Sequence, residues 1–248
     1  VTQVNKAAVA QAFGRAAESY QQHAQMQRQC GDRLLALGGT LPAGELLDAG
    51  CGTGWFSQRW RAQGMTVTAL DLSPGMLQRA RQGGVADRYL LGDIEALPLA
   101  DNSVDAVWSN LAVQWCSSLS LALAELCRVT RPGGRVLFST LEAGSLSEVR
   151  EAWLALDAAP PVNRFLPEAA IRAASAARLH GEPLRLWFDT PLAALHSLKG
   201  IGATHLHSGQ ARPRLDKARL QRLAAAWPRD AQGYRLSYQI VYGVIDVE

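Results

Sequence analysis

The chain has 248 residues, with 25 Lys+Arg against 22 Asp+Glu and a formal net charge of +3. At 48% hydrophobic and 19% charged residues, disorder and fibrous repeats are excluded. The length suits one large domain or one domain with an elaboration, and so small a positive excess does not by itself mark a nucleic-acid binder.

In chain order, residues 4–37 read as helical, with apolar or alanine positions at helical spacing and no proline until Pro42. Glu45 to Ala49 is a short apolar strand, followed by glycines at 50, 52 and 54 and a helical stretch to Gln63. Val67 to Leu70 is a second strand ending in Asp71, after which Ser73-Pro74 supplies an N-cap and a proline at the first helical position of a helix to Gln82. Arg88 to Leu91 and Val104 to Trp108 are the third and fourth strands. Leu119 to Val129 is a helix closed by Arg131-Pro132-Gly133-Gly134, and Arg135 to Thr140 is a fifth strand. Strands alternating with helices imply a mostly parallel α/β sheet with helices on both faces.

After residue 145 the rhythm breaks. Helical stretches at 146–158 and 167–177 flank Pro160-Pro161, Leu184 to Phe188 is strand-like, and a further helix lies near 191–198. Arg212 to Ala226 carries a basic helix and Tyr234 to Val247 closes the chain as a strand. The expectation is a single domain over 1–248: an N-terminal helical segment (4–37), a seven-stranded sheet, and a helical cap inserted in the C-terminal half at about 145–180 and 190–230. Val1 to Asn5 show no signal-peptide pattern, no apolar run reaches the ~20 residues of a membrane helix, and Cys30, Cys51, Cys116 and Cys127 form no C-x-x-C pair. A cytoplasmic protein with reduced thiols is expected.

The segment Asp48-Ala49-Gly50-Cys51-Gly52-Thr53-Gly54 sits where the first strand turns into a helix, at the carboxyl edge where open α/β sheets bind ligands. A dinucleotide loop would need glycine at 55, where Trp55 stands, and the Lys-Ser/Thr ending of a phosphate loop is also missing. Asp71 ends the second strand, where a carboxylate accepts from ribose hydroxyls. Gly92-Asp93-Ile94 follows the third, where a carboxylate can accept from an adenine amine, and Asn110-Leu111 ends the fourth. Asp48 can bind an ammonium group directly or through water. The carboxylates are thus spaced for a ribose, an adenine and an amino-acid head, although each alone can be a helix cap or turn former.

This constellation resembles the class I S-adenosylmethionine-dependent methyltransferases, a Rossmann-like fold whose glycine motif is matched by Asp48 through Gly54. The resemblance implies S-adenosylmethionine as cofactor, S-adenosylhomocysteine as product, and contacts from Asp48, Gly50, Gly52, Gly54, Asp71, Leu72, Met76, Asp93, Ile94, Asn110 and Leu111. Ala12-Phe13-Gly14-Arg15-Ala16-Ala17 with Tyr20, and the stretches Ser109 to Cys116, Asn163 to Pro167 and Ser197 to His205, narrow it further. Across nearly the whole chain they are similar to the malonyl-[acyl-carrier protein] O-methyltransferase family of biotin synthesis. That resemblance implies methylation of the free carboxylate of a malonyl thioester on acyl carrier protein. The alternative is a methyltransferase for another small carboxylic acid or for malonyl-CoA. Asn110-Leu111-Ala112-Val113 lacks the Asn/Asp-Pro-Pro-aromatic run that grips a flipped base, which argues against a nucleic-acid substrate. A cofactor-binding protein without activity is a further reading, against which the intact loop and Asp71 stand.

A carboxylate is ionised at neutral pH, with an ordinary pKa near ~4, so the reaction needs alignment rather than a general base. Candidates to hold it are Tyr20, Arg164, Lys199 and His205, with the Arg164 guanidinium the first choice for a planar carboxylate. Tyr20 can equally anchor its helix, and Trp115 either walls the methionine side or packs in the core. His205 and His207, without nearby acidic or thiol partners, are expected to be structural, and no metal is expected. From residue 205 to 222 the basic residues Arg212, Arg214, Lys217, Arg219 and Arg222 face one acid, Asp216. Such a helix can steer and dock an acidic carrier protein, or be a solvated face.

Overall fold

The computed structural model describes residues 4–18, 20, 24–200 and 216–248, and for residues 199 and 200 the backbone alone. Strands β1 (Glu45–Ala49), β2 (Thr66–Asp71), β3 (Arg88–Leu91), β4 (Val104–Asn110) and β5 (Thr130–Leu141) pair in parallel; β6 (Arg178–Phe188) and β8 (Gly233–Asp246) complete the sheet. The order is β3-β2-β1-β4-β5-β8-β6, with β8 antiparallel to both neighbours. The seven expected strands form this path, and the two-residue β7 (Arg229–Asp230) adds to β8.

The central strands are apolar on both faces because helices cover both. On one face, Cys30 and Leu34 of α2 (Gln25–Gly38) and Phe56 and Trp60 of α3 (Trp55–Ala62) pack over Leu46 and Trp108. The Trp108 ring lies 5.0 Å from that of Phe56 and 5.3 Å from that of Trp60. On the other face, Leu123 and Leu126 of α5 (Leu119–Val129), following α4 (Pro74–Gln82) in the chain, meet Val107, Val136 and Phe138. The helix starts follow the sequence signals: Ser73 Oγ accepts from Met76 N at 3.4 Å with Pro74 in the first turn, and Ser118 Oγ accepts from Leu121 N at 3.2 Å.

Three expectations require correction. Within the segment 4–37, α1 (Lys6–Ala16) ends before a turn at Ala17 and Glu18, α2 begins at Gln25, and Tyr20 lines the cleft at the sheet edge. Strand β5 begins at Thr130, which pairs with Val104 before the chain bulges through Arg131 to Gly134. Strand β6 begins at Arg178, so the helix expected over 167–177 shrinks to α7 (Glu168–Ala173). Gly181 and Pro183 disguise that strand in sequence, yet both are tolerated because β6 is an edge paired to β8 alone.

Helices α6 (Ser147–Leu154), α8 (Pro191–Gly200) and α9 (Lys217–Ala226) form the layer beyond β5 and β6, with α9 packed on α6 and α8. Glu148, 1% exposed, fastens α6 to β8: it accepts from Ser237 Oγ at 2.5 Å, Ser237 N at 3.1 Å and Arg235 Nε at 3.1 Å. Burial pushes its carboxyl up, but the bonds from Ser237 and Arg235 outweigh burial and hold it below its ordinary 4.5. Its contribution to stability is therefore complete above that value and is lost as pH falls through the lower folded pKa. Replacing Glu148 with Ala should cost about 3 kcal/mol in urea denaturation near neutral pH, since it strands two buried donors and a half-buried guanidinium. The difference from the parent should shrink as the titration is carried into acid.

Candidate active site

The carboxyl ends of β1 to β4 open into a cleft enclosing about 640 Å³ of empty space, open solvent included. Its floor starts at Gly50, which holds φ at +81°; a Cβ there would stand 2.3 Å from the Cβ of Ala112 in the loop after β4. The N–H groups of Gly50 and Cys51 both donate to Leu70 O, at 2.8 and 2.9 Å, tying the loop to the end of β2. Asp71 accepts from Gly52 N on one oxygen and from Ser73 N on the other, each at 2.8 Å. Two lone pairs of that carboxylate stay available to a ligand. Burial holds Asp71 above its ordinary pKa despite those backbone bonds.

Asp93 accepts from Glu95 N at 3.0 Å and pairs with Lys6 Nζ, which also pairs with Glu95. Burial lowers the Lys6 ammonium, but its bonds to the two carboxylates outweigh that and hold it above its ordinary value. Asn110 donates through Nδ2 to Gln27 O at 2.9 Å and accepts from Ser139 Oγ at 2.8 Å, so its side chain fastens α2 to the sheet. Leu111 holds φ at +52°, costly for a branched side chain, and its N–H donates to Ser139 Oγ at 2.9 Å.

Helix α1 roofs this cleft. It crosses α4 so closely that a Cβ on Gly75 would come within 2.9 Å of Gly14 Cα. Phe13 meets Trp115 edge-on, with centroids 5.2 Å apart. Tyr20 lines the cleft and two adjoining cavities as well. Its hydroxyl has no hydrogen-bond partner among the described residues. Burial, then the Asp71 charge, holds the phenol well above its ordinary pKa, so it is a proton donor throughout the physiological range.

The first adjoining cavity, about 450 Å³, is lined by Asp48, Thr53, Gln27 and Arg28, whose guanidinium lies 4.1 Å from the Trp55 ring centroid. Asp48 is 2% exposed and accepts from Ser57 Oγ at 2.5 Å. Burial, helped by the Asp71 charge and opposed by Ser57, pushes Asp48 up to about 7. The second cavity, about 490 Å³, has aromatic walls from Phe13, Trp115, Phe165 and Tyr238 and amides from Gln27, Gln114 and Asn163. No Lys, Arg or His stands among its described lining residues. The side-chain oxygens of Gln27 and Gln114 are buried without a hydrogen-bond partner.

Of the residues singled out in the sequence, Gly50, Gly52, Asp71, Leu72, Asp93, Ile94, Asn110, Leu111, Tyr20 and Trp115 meet in the cleft, and Asp48 lies in the first adjoining cavity. Gly54 and Met76 line none of the three: Gly54 caps α3, and Met76 is 1% exposed in the core under α4. Arg164 is exposed, while its neighbours Asn163 and Phe165 line the second cavity, because successive residues of an extended segment face opposite ways. Its guanidinium is thus outside the cavity it was expected to serve. Lys217, Arg219 and Arg222 are exposed on α9. The Lys199 side chain, His205, Arg212 and Arg214 lie outside the described residues. Lys6, Phe13, Gln27, Arg28 and Gln114 escaped sequence reasoning: the first four are polar or aromatic residues on the apolar side of a lid helix, indistinguishable from a core pattern without the fold, and Gln114 lies in the turn after β4.

A family model described as a methyltransferase domain matches residues 47–138, the stretch that supplies β1 to β4 and most of β5. The malonyl-[acyl-carrier protein] O-methyltransferase of Erwinia pyrifoliae is 60% identical over 248 residues, covering 99% of this chain and 95% of its own. The chain belongs to the malonyl-[acyl-carrier protein] O-methyltransferase family. The Erwinia billingiae relative of the same name is 58% identical over 99% of both chains, and the Salmonella typhimurium relative is 51% identical over 99% of both. Among solved structures, the YcgJ protein of Bacillus subtilis shares the fold with a TM-score of 0.57 at 16% identity, over 89% of this chain and 99% of its own. Phosphoethanolamine N-methyltransferase 2 of Haemonchus contortus, solved with S-adenosylhomocysteine, shares it with a TM-score of 0.56 at 16% identity, over 95% of this chain and 58% of its own. The chain is a methyltransferase with the class I Rossmann-like fold.

The buried Asp48 has a thermodynamic consequence. Its folded pKa of about 7 stands above the ordinary 3.8, so the folded protein binds an extra proton between these values. Stability of the ligand-free protein should therefore fall as pH rises across that window. The isosteric Asp48→Asn should flatten this slope and be more stable than the parent by about 3 kcal/mol at about pH 8 in denaturant titrations.

Proposed function

We propose that the enzyme transfers a methyl group from S-adenosylmethionine to the free carboxylate of a malonyl thioester on acyl carrier protein. The observation that carries this reading is Tyr20, which faces an acidic cleft on one side and an amide-lined cavity without a described cation on the other. Bound S-adenosylmethionine supplies an electrophilic methyl on a positively charged sulfur.

The residues present fit that ligand. Asp71 and Asp93 outnumber Lys6 in the cleft, and Asp48 stands with Arg28 in the first adjoining cavity, a pattern that suits a sulfonium and a zwitterionic amino-acid head. Asp71 takes the ribose hydroxyls on its unused lone pairs, and Asp93 with Ile94 takes the adenine edge. Asp48 faces the ammonium, and Arg28, already held over Trp55, takes the carboxylate of the methionine portion. S-adenosylhomocysteine keeps these contacts as the product.

The acceptor carboxylate enters the second cavity already ionised, so no residue need remove a proton from it. Tyr20, protonated and free of other hydrogen bonds among the described residues, donates to one carboxylate oxygen and leaves the other to attack. The amides of Gln27, Gln114 and Asn163 that line this cavity are neutral and leave the anion nucleophilic. The aromatic walls exclude water, and attraction between opposite charges that neutralise in the reaction is stronger in so dry a site. Lys217, Arg219 and Arg222, with Arg212 and Arg214, receive the acidic carrier protein.

Malonyl-carrier protein, malonyl-CoA and free malonate assayed side by side should give a methyl ester from the thioesters, with the highest kcat/KM on the carrier. Methylation of neither malonyl thioester would overturn the reading. Tyr20→Phe should lower kcat/KM about 10- to 100-fold, the worth of one hydrogen bond to a charged group, while calorimetry finds S-adenosylhomocysteine affinity changed less than about twofold.

A further inference from the structure

Two arginines of the cap, Arg150 and Arg164, lie near one another with no acid paired to either among the described residues. Arg150 on α6 is half-buried, and its Nη2 donates to the carbonyl oxygen of Asn163. Arg164, the next residue along, is exposed, and no carboxylate lies within ion-pair distance of either guanidinium among the described residues. Many other arginines here do have one: Arg33 pairs with Glu182, Arg131 with Asp105, Arg135 with Asp246 and Arg235 with Glu148. Burial, with the Arg164 charge beside it, lowers the Arg150 guanidinium pKa. Two like charges held together by backbone contacts are relieved by an anion between them, and paired guanidinium forks match the oxygens of a phosphate.

The location restricts which anion. Asn163 and Phe165, on either side of Arg164, line the second cavity, so the pair marks its outer rim. Leu154, one turn beyond Arg150 on α6, is 67% exposed, and Arg222 of α9 donates to Ala155 O at 2.8 Å. The rim is therefore continuous with the basic face of α9, and an apolar side chain lies between them.

We propose that Arg150 and Arg164 bind the phosphodiester of the phosphopantetheine arm of an acidic carrier protein, whose body rests on Leu154 and the basic face of α9. The inference rests on the acceptor reading above: the arm runs inward from the phosphate past Asn163 and Phe165, which delivers the malonyl carboxylate toward Tyr20. Its amide N–H groups then have acceptors in the buried, unpartnered oxygens of Gln27 and Gln114.

Malonyl-phosphopantetheine and malonyl-pantetheine differ by the phosphate alone and serve as probes. The parent enzyme should show a KM about tenfold lower for the phosphorylated thioester. The double variant Arg150→Gln/Arg164→Gln should raise that KM to the value for malonyl-pantetheine, leave the latter unchanged, and weaken calorimetric binding of phosphopantetheine itself about tenfold. The exposed single variant Arg164→Gln, which touches no packed group, should show part of the effect if the double variant folds poorly. Equal KM values in the parent, or a preference that survives in the variants, would overturn the phosphate site while leaving the acceptor reading intact. If the parent methylates neither of these minimal thioesters, the acceptor reading is decided by the malonyl-carrier protein and malonyl-CoA assay above. Phosphopantetheine binding then decides the phosphate site: loss in the variants upholds it, and equal affinity removes it.

Discussion

The passage of Gly50 against Ala112 is the contact on which the site depends. With φ at +81° and no room for a Cβ, the loop after β1 lies directly on the loop after β4, and it is itself pinned to the end of β2 through Leu70 O. From this follow the Gly52 N–H held by Asp71 and the inward face of the β1 turn. The matching strain falls on Leu111, whose left-handed backbone is sustained by its bonds to Ser139. Crevices at the carboxyl ends of parallel strands arise from sheet topology; this one owes its depth to a missing methyl group.

Around that floor, cover is provided by helices whose fastenings are chemically different. Helix α1 is held by an ammonium between two carboxylates, by helix packing at Gly14 and Gly75, and by Phe13 on Trp115. Helix α2 is held by apolar burial, by the Asn110 amide on the Gln27 carbonyl and by the ion pairs Arg33–Glu182 and Asp32–Arg59. Both sets contain charges that salt screens, but only in the first does a ligand on Asp93 compete for one of them. The two covers therefore respond differently to the same ligand, and Tyr20 sits between them.

Much of the fold was legible because its signals are local. Alternating strands and helices, the Ser73-Pro74 cap and acidic residues at three strand ends each follow from a few adjacent residues. What was hidden is set by distant partners. A continuous helical pattern over 4–37 gives no sign that α1 ends at Ala16 and that Tyr20, beyond it, lines the cleft. Gly181 and Pro183 punctuate a strand that survives because its open edge needs no further pairing. In the site, the acidic half could be read from strand ends, whereas the second cavity is assembled from α1, α2, the loop after β4, the cap and β8, which no spacing rule connects. Arg164 was singled out for its chemistry, and the alternation of an extended segment turned its guanidinium outward.

The shared wall formed by Tyr20 also bears on ligand design. Three cavities that touch one phenol are rooms behind a single door post, not separate sites. A compound with a nucleoside at one end and a short acid at the other could span them by a linker running past that ring. Its selectivity would come from the far room, whose described lining is amides and aromatic walls. An inhibitor tail shaped to those rings and bonded to the Gln27, Gln114 and Asn163 amides would use the contacts that set this room apart from the cleft.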